Sequence, residues 1–214
     1  MVMKNVTVFD NNVEAYDKWY ALHEEAYLSE LEAIKEQMAK LPENIRGIEV
    51  GVGTGRFAQP LGIKEGIEPS LEMAKKAIKK GIEIIPGVAE KLPYGDLQFD
   101  FVLFVTICHL KDFKNAVAES YRVLKPKGSI IIGFLDKEQG IAKQYELKRQ
   151  RSTFFKHAKY YTVDQVTKIL KDKRFKNLEY NQTLFGDLES ITTIQMPKPG
   201  YGEGSFVVIK ADKK

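Results

Sequence analysis

Between residues 45 and 135 the chain keeps returning to one pattern, a short and almost continuous apolar run followed by an amphipathic stretch. The apolar runs lie in "IRGIEV", "IKEGIEPS", "IEIIPG", "FDFVLFVTI" and "SIIIGFL". A strand that alternates apolar and polar residues can face water on one side, whereas one without that alternation must be covered on both. Between the runs, "SLEMAKKAIKKG" opens on a capping Ser70, sets Leu71, Ala74, Ala77 and Ile78 on one side and ends in glycine. A second helix is expected from about Asp112 to Leu124, closed by "KPKG". "RFAQPL" reads as a short helical piece stopped near Pro60 and Gly62. Strand-helix alternation of this kind predicts an α/β fold, a mostly parallel sheet with helices on both faces.

The flanks differ. Over residues 12–40, Tyr16, Trp19, Tyr20, Tyr27, Leu31, Ile34 and Met38 recur at three- and four-residue steps among charges, which predicts one amphipathic helix or a pair. Beyond residue 136 the chain turns polar, basic and aromatic in "KEQGIAKQYELKRQRSTFFKHAKYY", and "TVDQVTKILKDK" reads as a capped helix. "NLEYNQTLF" and "GSFVVIKAD" are two strands joined by "MPKPGYGEG"; with no helix between them, an antiparallel pair is expected.

The glycines carry the first functional signal. In "IEVGVGTGRF" a buried strand ends in Gly51, Gly53 and Gly55, so a ligand can approach the main chain while free N–H groups point at it. An ordinary tight turn is the plainer reading. The dinucleotide fingerprint does not fit, because its sixth place holds Arg56. The second strand ends in Glu68, followed by Pro69, and a carboxylate there can accept hydrogen bonds from both hydroxyls of a ribose. A solvated turn acid is the alternative.

Taken in order, "IEVGVGTGRF", "GIEPS", "GVAEKLPYGDLQFDFVLFVTICHL" and "ESYRVLKPKGSIIIGF" resemble the successive motifs of class I S-adenosylmethionine-dependent methyltransferases, in their small-molecule, type 11-like branch. The resemblance covers roughly residues 45–135. It implies a Rossmann-like, seven-stranded, mostly parallel sheet with an antiparallel C-terminal hairpin, and S-adenosylmethionine as cofactor with S-adenosylhomocysteine as product. Position by position, it implies that Gly51, Gly53 and Gly55 form the loop under the methionine and sugar, with Glu49 at the acid place of the first motif. Glu68 would hold the ribose beside Pro69, Ala89 and Glu90 would flank the adenine, and Thr106 would lie beside the methionine moiety. Glu90 stands where the family more commonly has Asp. On the same resemblance, residues 1–44 would be a helical lid, 45–135 the cofactor core, 136–173 a substrate-side insertion and 174–214 the terminal strand pair.

Methyl transfer from a sulfonium is an in-line displacement, so positioning and exclusion of water matter more than a nucleophile. A base helps when the acceptor must lose a proton, and His109, at the end of the fourth strand, is the candidate; a packing histidine is the alternative. Tyr16 is the expected lid contact, since aromatic faces stabilise a sulfonium, although helical spacing equally suits plain packing. The basic-aromatic stretch, with Lys143, Arg149, Arg151 and Lys159, could meet an anionic small molecule or a nucleic acid, with a solvated face as the default.

Composition narrows the setting. Cys108 is the only cysteine, so neither an internal disulfide nor a cysteine zinc cluster can form. No run of about 18 apolar residues is present and the N-terminus lacks a secretory layout, so a cytoplasmic protein without membrane contact is expected. The net charge of +4 is a modest excess that does not by itself indicate nucleic acid, and the absence of an "NPPY"-type motif argues against amino-methylation of DNA bases. The expected function is therefore methyl transfer to a small molecule. The competitors are a nucleotide-dependent oxidoreductase and a cofactor-binding regulatory module without turnover.

Overall fold

Within residues 12–40 the chain is helical because its apolar side chains share one face at helical spacing. The computed structural model describes residues 4–214, beginning with helices α1 (Lys4–Asn11), α2 (Val13–Leu22) and α3 (Glu24–Met38). The long helix α3 buries Leu31, Ala33 and Ile34 and lies against the sheet.

The apolar runs become β1 (Gly47–Val50), β2 (Glu65–Ile67), β3 (Glu83–Ile85), β4 (Phe99–Val105) and β5 (Leu124–Leu135), all parallel. Helix α4 (Leu71–Lys79) links β2 to β3, and α5 (Phe113–Val123) links β4 to β5. After β5 come α6 (Gly140–Leu147), α7 (Val163–Asp172), β6 (Phe175–Thr183), β7 (Lys198–Pro199) and β8 (Phe206–Lys213). The sheet runs β3-β2-β1-β4-β5-β8-β6-β7, with β8 antiparallel to β5 and to β6. Among the described residues it therefore has eight strands where the resemblance implied seven. The addition is the two-residue β7, which pairs with Asn181 and Gln182 at the edge.

Strand β4 shows why the runs are continuous. Val102 and Phe104 join Phe113, Val117, Val166 and Leu170 on one face, while Phe101 and Leu103 join Ile34, Ala77 and Phe206 on the other. Successive side chains point to opposite faces, and both faces are covered.

Two local expectations are corrected. "RFAQPL" forms consecutive turns rather than a helix, for Pro60 has no N–H to donate and positive φ values at Gly53, Gly55 and Gly62 bracket the stretch. In α4 the buried stripe is Met73, Ala74 and Ala77, while Leu71 and Ile78 are exposed. The helix is turned so that Ala77 faces Gly55, where a Cβ would come 3.3 Å from the Ala77 Cα and 2.6 Å from Ile82 Cδ1.

The strand order leaves a crevice beyond the carboxyl ends of β1 and β4, where the connections diverge to opposite sides of the sheet; ligands of open α/β sheets collect at that point.

Candidate functional site

A cavity of about 210 Å³ opens there, reached by the ends of β1 (Val50), β2 (Ile67) and β4 (Val105). The chain leaves β1 through Gly51, φ +81°, and both Gly51 and Val52 donate their N–H to the Ile67 carbonyl, at 2.8 and 3.1 Å. Gly53, φ +58°, then turns its N–H to Glu68 Oε2 at 2.8 Å. The other oxygen, Glu68 Oε1, accepts from the Ser70 N–H at 2.8 Å. One carboxylate thus ties the glycine loop to the start of α4, and each of its oxygens keeps a lone pair for a further donor. Burial pushes its pKa up to about 7 against the opposing pull of the Ser70 and Gly53 bonds.

The helices in front are stapled to this loop. Asp17 Oδ1 accepts from Thr54 Oγ1 at 2.8 Å and from Arg56 Nε at 2.9 Å, and its Oδ2 accepts from Lys76 Nζ at 2.9 Å. The Arg56 guanidinium lies over the Tyr20 ring, 5.0 Å from its centre. On α1, Asp10 Oδ1 accepts from Ser70 Oγ at 2.6 Å. These bonds set Tyr16 over the loop, where a Cβ on Gly53 would stand 3.4 Å from its hydroxyl.

An aromatic roof closes the middle of the cavity. Phe9 of α1 stacks on Phe154 at 5.6 Å and meets His109 edge-on at 5.0 Å; Phe155 stacks on His109 at 5.6 Å. His109 lines this cavity, and burial holds its pKa down to about 4, so the imidazole is neutral at pH 7. Thr106, where β4 ends, takes the left-handed conformation with φ +64°. For a β-branched residue that is a strained backbone, of the sort that collects at functional sites.

The cavity gathers nine of the residues predicted from sequence. Tyr16, Gly51, Gly53, Glu68 and Pro69 line one part of it, and Ala89, Glu90, Thr106 and His109 line the rest. Glu90 is also engaged locally, its Oε1 accepting from the Asp112 N–H at 2.9 Å. Glu49 and Gly55 stand outside the lining. Glu49 is buried behind the loop, where it accepts from the Ala58 N–H and its Oε2 has no partner among the described residues; burial raises its pKa well above the usual range. Gly55 is needed for its φ of +78° and for its close approach to α4. From the basic-aromatic stretch, Phe154 and Phe155 reach the cavity, whereas Lys143, Arg149, Arg151 and Lys159 do not line it.

Glu30, Phe9 and Tyr145 also line the cavity and escaped the sequence reading. Glu30 sits in a helix rich in glutamate, and nothing in its spacing separates it from its exposed neighbours. Among the described residues no helix is long and apolar enough to cross a membrane.

Residues 48–132 match the family model described as a methyltransferase domain. An S-adenosylmethionine-dependent methyltransferase from Thermotoga maritima, described as a possible histamine N-methyltransferase, has a solved structure that superposes with a TM-score of 0.93. It is 42% identical and covers 98% of this chain and 100% of its own. An uncharacterised protein of Methanocaldococcus jannaschii is 44% identical over 97% of this chain and its own full length. The ubiquinone/menaquinone biosynthesis C-methyltransferase of Rickettsia prowazekii is 33% identical over 129 residues, 51% of each chain.

Proposed function

Because the chain belongs to the class I S-adenosylmethionine-dependent methyltransferases, in their type 11-like branch, we propose that it methylates a small-molecule acceptor enclosed beneath its aromatic roof. The observation that carries the cofactor assignment is the Glu68 carboxylate, held by Gly53 and Ser70 inside the cavity with lone pairs to spare. Vicinal ribose hydroxyls suit that acceptor pair. S-adenosylmethionine, when bound, supplies an electrophilic methyl group on a sulfonium.

The chain's own residues would do the rest. Gly51 and Gly53 let the ligand approach the main chain, Pro69 shapes the turn beside the ribose, and Ala89 and Glu90 flank the base. Tyr16 and Thr106 bound the methionine portion, with an aromatic face towards the positive sulfur. Glu49 and Gly55 act behind the loop, fixing its path by the bond to Ala58 and the approach to α4. Residues 1–44 serve as the lid on the 45–135 core, 136–173 as the acceptor side, and 174–214 as the closing strand pair. A single buried thiol, Cys108, pushed up by burial to about 12, suits a reducing cytoplasm.

Two features support a small acceptor. Phe9, Phe154, Phe155 and His109 form one aromatic cluster along the cavity wall, a surface suited to a small apolar body. The Thermotoga maritima neighbour's description as a possible histamine N-methyltransferase points towards nitrogen. His109, a neutral imidazole, is suited to accepting a hydrogen bond beside the transferred methyl and less suited to holding a full proton.

Calorimetric titration with S-adenosylmethionine, S-adenosylhomocysteine and NADH tests the assignment. Saturable binding of both adenosyl compounds and none of NADH is expected; preference for NADH, or no binding by the folded protein, would overturn it. Turnover on a panel of acceptors then separates an enzyme from a binding module.

A further inference from the structure

Glu30 lies on α3, which packs against β5 and β8, so it reaches the cavity from beyond β4 in the strand order, across the crevice from Glu68 at the end of β2. It is only 7% exposed, and among the described residues no hydrogen bond or ion pair reaches its carboxylate. Tyr145 of α6 lines the same cavity, with a buried hydroxyl that also has no hydrogen-bond partner. Tyr20 lines this cavity as well, so the Glu30 carboxyl and the Tyr20 and Tyr145 side chains share one space. Trp19, Phe155 and Leu135 supply apolar walls.

A buried carboxylate without a partner is costly, and native interiors rarely keep one without a use. A leucine or glutamine would fill the space at lower cost. Three ligand classes can be compared. An anionic acceptor would find no counter-charge at Glu30, and a neutral alcohol would give it no reason to ionise, leaving the carboxyl in its burial-favoured neutral form. An ammonium group would pair with the carboxylate and rest on aromatic faces, both of which favour a cation.

Resting on the reading of the cavity as a methyltransferase site, we propose that Glu30 and Tyr145 form the acceptor subsite, that it takes a small primary amine with an aromatic or apolar body, and that Glu30 is its proton acceptor. In the step that follows, the ammonium R–NH₃⁺ gives one proton to the Glu30 carboxylate and becomes R–NH₂. The freed nitrogen lone pair forms the new N–C bond, and the methyl–sulfur bond breaks with its electron pair left on sulfur. The products are R–NH₂⁺–CH₃, a thioether and neutral Glu30, which returns its proton to solvent when the site opens. Burial that pushes Glu30 up to about 8 suits it to that exchange near neutral pH.

The test uses 2-phenylethylamine, 2-phenylethanol and phenylacetate as probes, titrated into protein saturated with S-adenosylhomocysteine, with N-methylation followed by mass spectrometry. The wild type should bind the amine at least tenfold more tightly than the alcohol or the acid. Glu30→Gln should lose at least tenfold in amine affinity and roughly a hundredfold in kcat, with S-adenosylhomocysteine affinity unchanged; Tyr145→Phe should weaken amine binding severalfold. Circular dichroism checks that both variants fold. Equal handling of the amine by Glu30→Gln, or a wild type that prefers the alcohol or acid, would overturn the subsite while leaving the methyltransferase reading intact. A folded wild type that fails to bind S-adenosylhomocysteine would overturn both.

Discussion

At Glu68, two backbone N–H groups meet a carboxylate that burial pushes up to about 7, so the cofactor-free protein holds it partly protonated at neutral pH. Ribose hydroxyls need the ionised form as acceptor. Affinity for S-adenosylhomocysteine should therefore fall as pH drops below about 7, approaching tenfold per unit. Glu68→Gln should cost about 1 to 3 kcal/mol of binding and flatten that profile; calorimetry across the range reads both. Glu30 gives an opposite signature in stability. Its folded pKa, about 8, stands above the ordinary 4.5, because burial penalises the charge. Below about 4.5 the group is protonated folded or unfolded, and nothing is lost; as pH rises towards 8 the unfolded chain releases the proton first, and stability declines. Facing Glu30 are Tyr20, Tyr27 and Tyr145, whose phenols are all raised and stay neutral in this window. Scanning calorimetry of the cofactor-free proteins should find Glu30→Gln close to wild type near pH 5 and more stable near pH 9. Of these two acids only Glu68 was legible in the sequence, because its place at a strand end after a glycine loop has local meaning. Glu30 looks like any surface glutamate of an amphipathic helix until the packing of α3 buries it.

Among the elements, α2 is fastened to the glycine loop by one side chain. Asp17 takes bonds from Thr54, Arg56 and Lys76. Asp17→Ala should speed amide hydrogen exchange in α2 and weaken S-adenosylhomocysteine binding severalfold, since the loop and Tyr16 lose their common anchor. Gly55→Val should destabilise the fold by roughly 1 to 3 kcal/mol in urea unfolding, through strain at φ +78° and collision with Ile82. Strands β1, β4 and β5 and helices α5 and α7 follow from periodicity and caps, for example the Thr162–Gln165 capping box that opens α7. Helix α1 does not. Its sequence, "KNVTVFDN", contains β-branched valines and a threonine with low helix propensity. It is held by contacts from elsewhere, Phe9 on His109 and Phe154 and Asp10 on Ser70.

At the scale of the molecule, the proposed cofactor and acceptor sides of one cavity are built from different sets of elements. Strands β1 and β2 supply the first; α3, α6 and the 154–155 roof supply the second. A ligand that binds only the folded state stabilises it by mass action, about 2.7 kcal/mol at a hundredfold excess over Kd. For a chain of this size that corresponds to roughly 5 to 10 °C in Tm, which thermal melts with S-adenosylhomocysteine should record and melts with NADH should not. The sequence by itself determined the parallel core and the glycine-loop end of the cavity, because continuous apolar runs, a glycine loop and an acid at a strand end act through short stretches of backbone. The tertiary structure alone decided the acceptor end. Glu30, His109 and Tyr145 are far apart along the chain, and both their meeting and their protonation come from burial, which depends on how helices pack rather than on which residues neighbour one another in sequence.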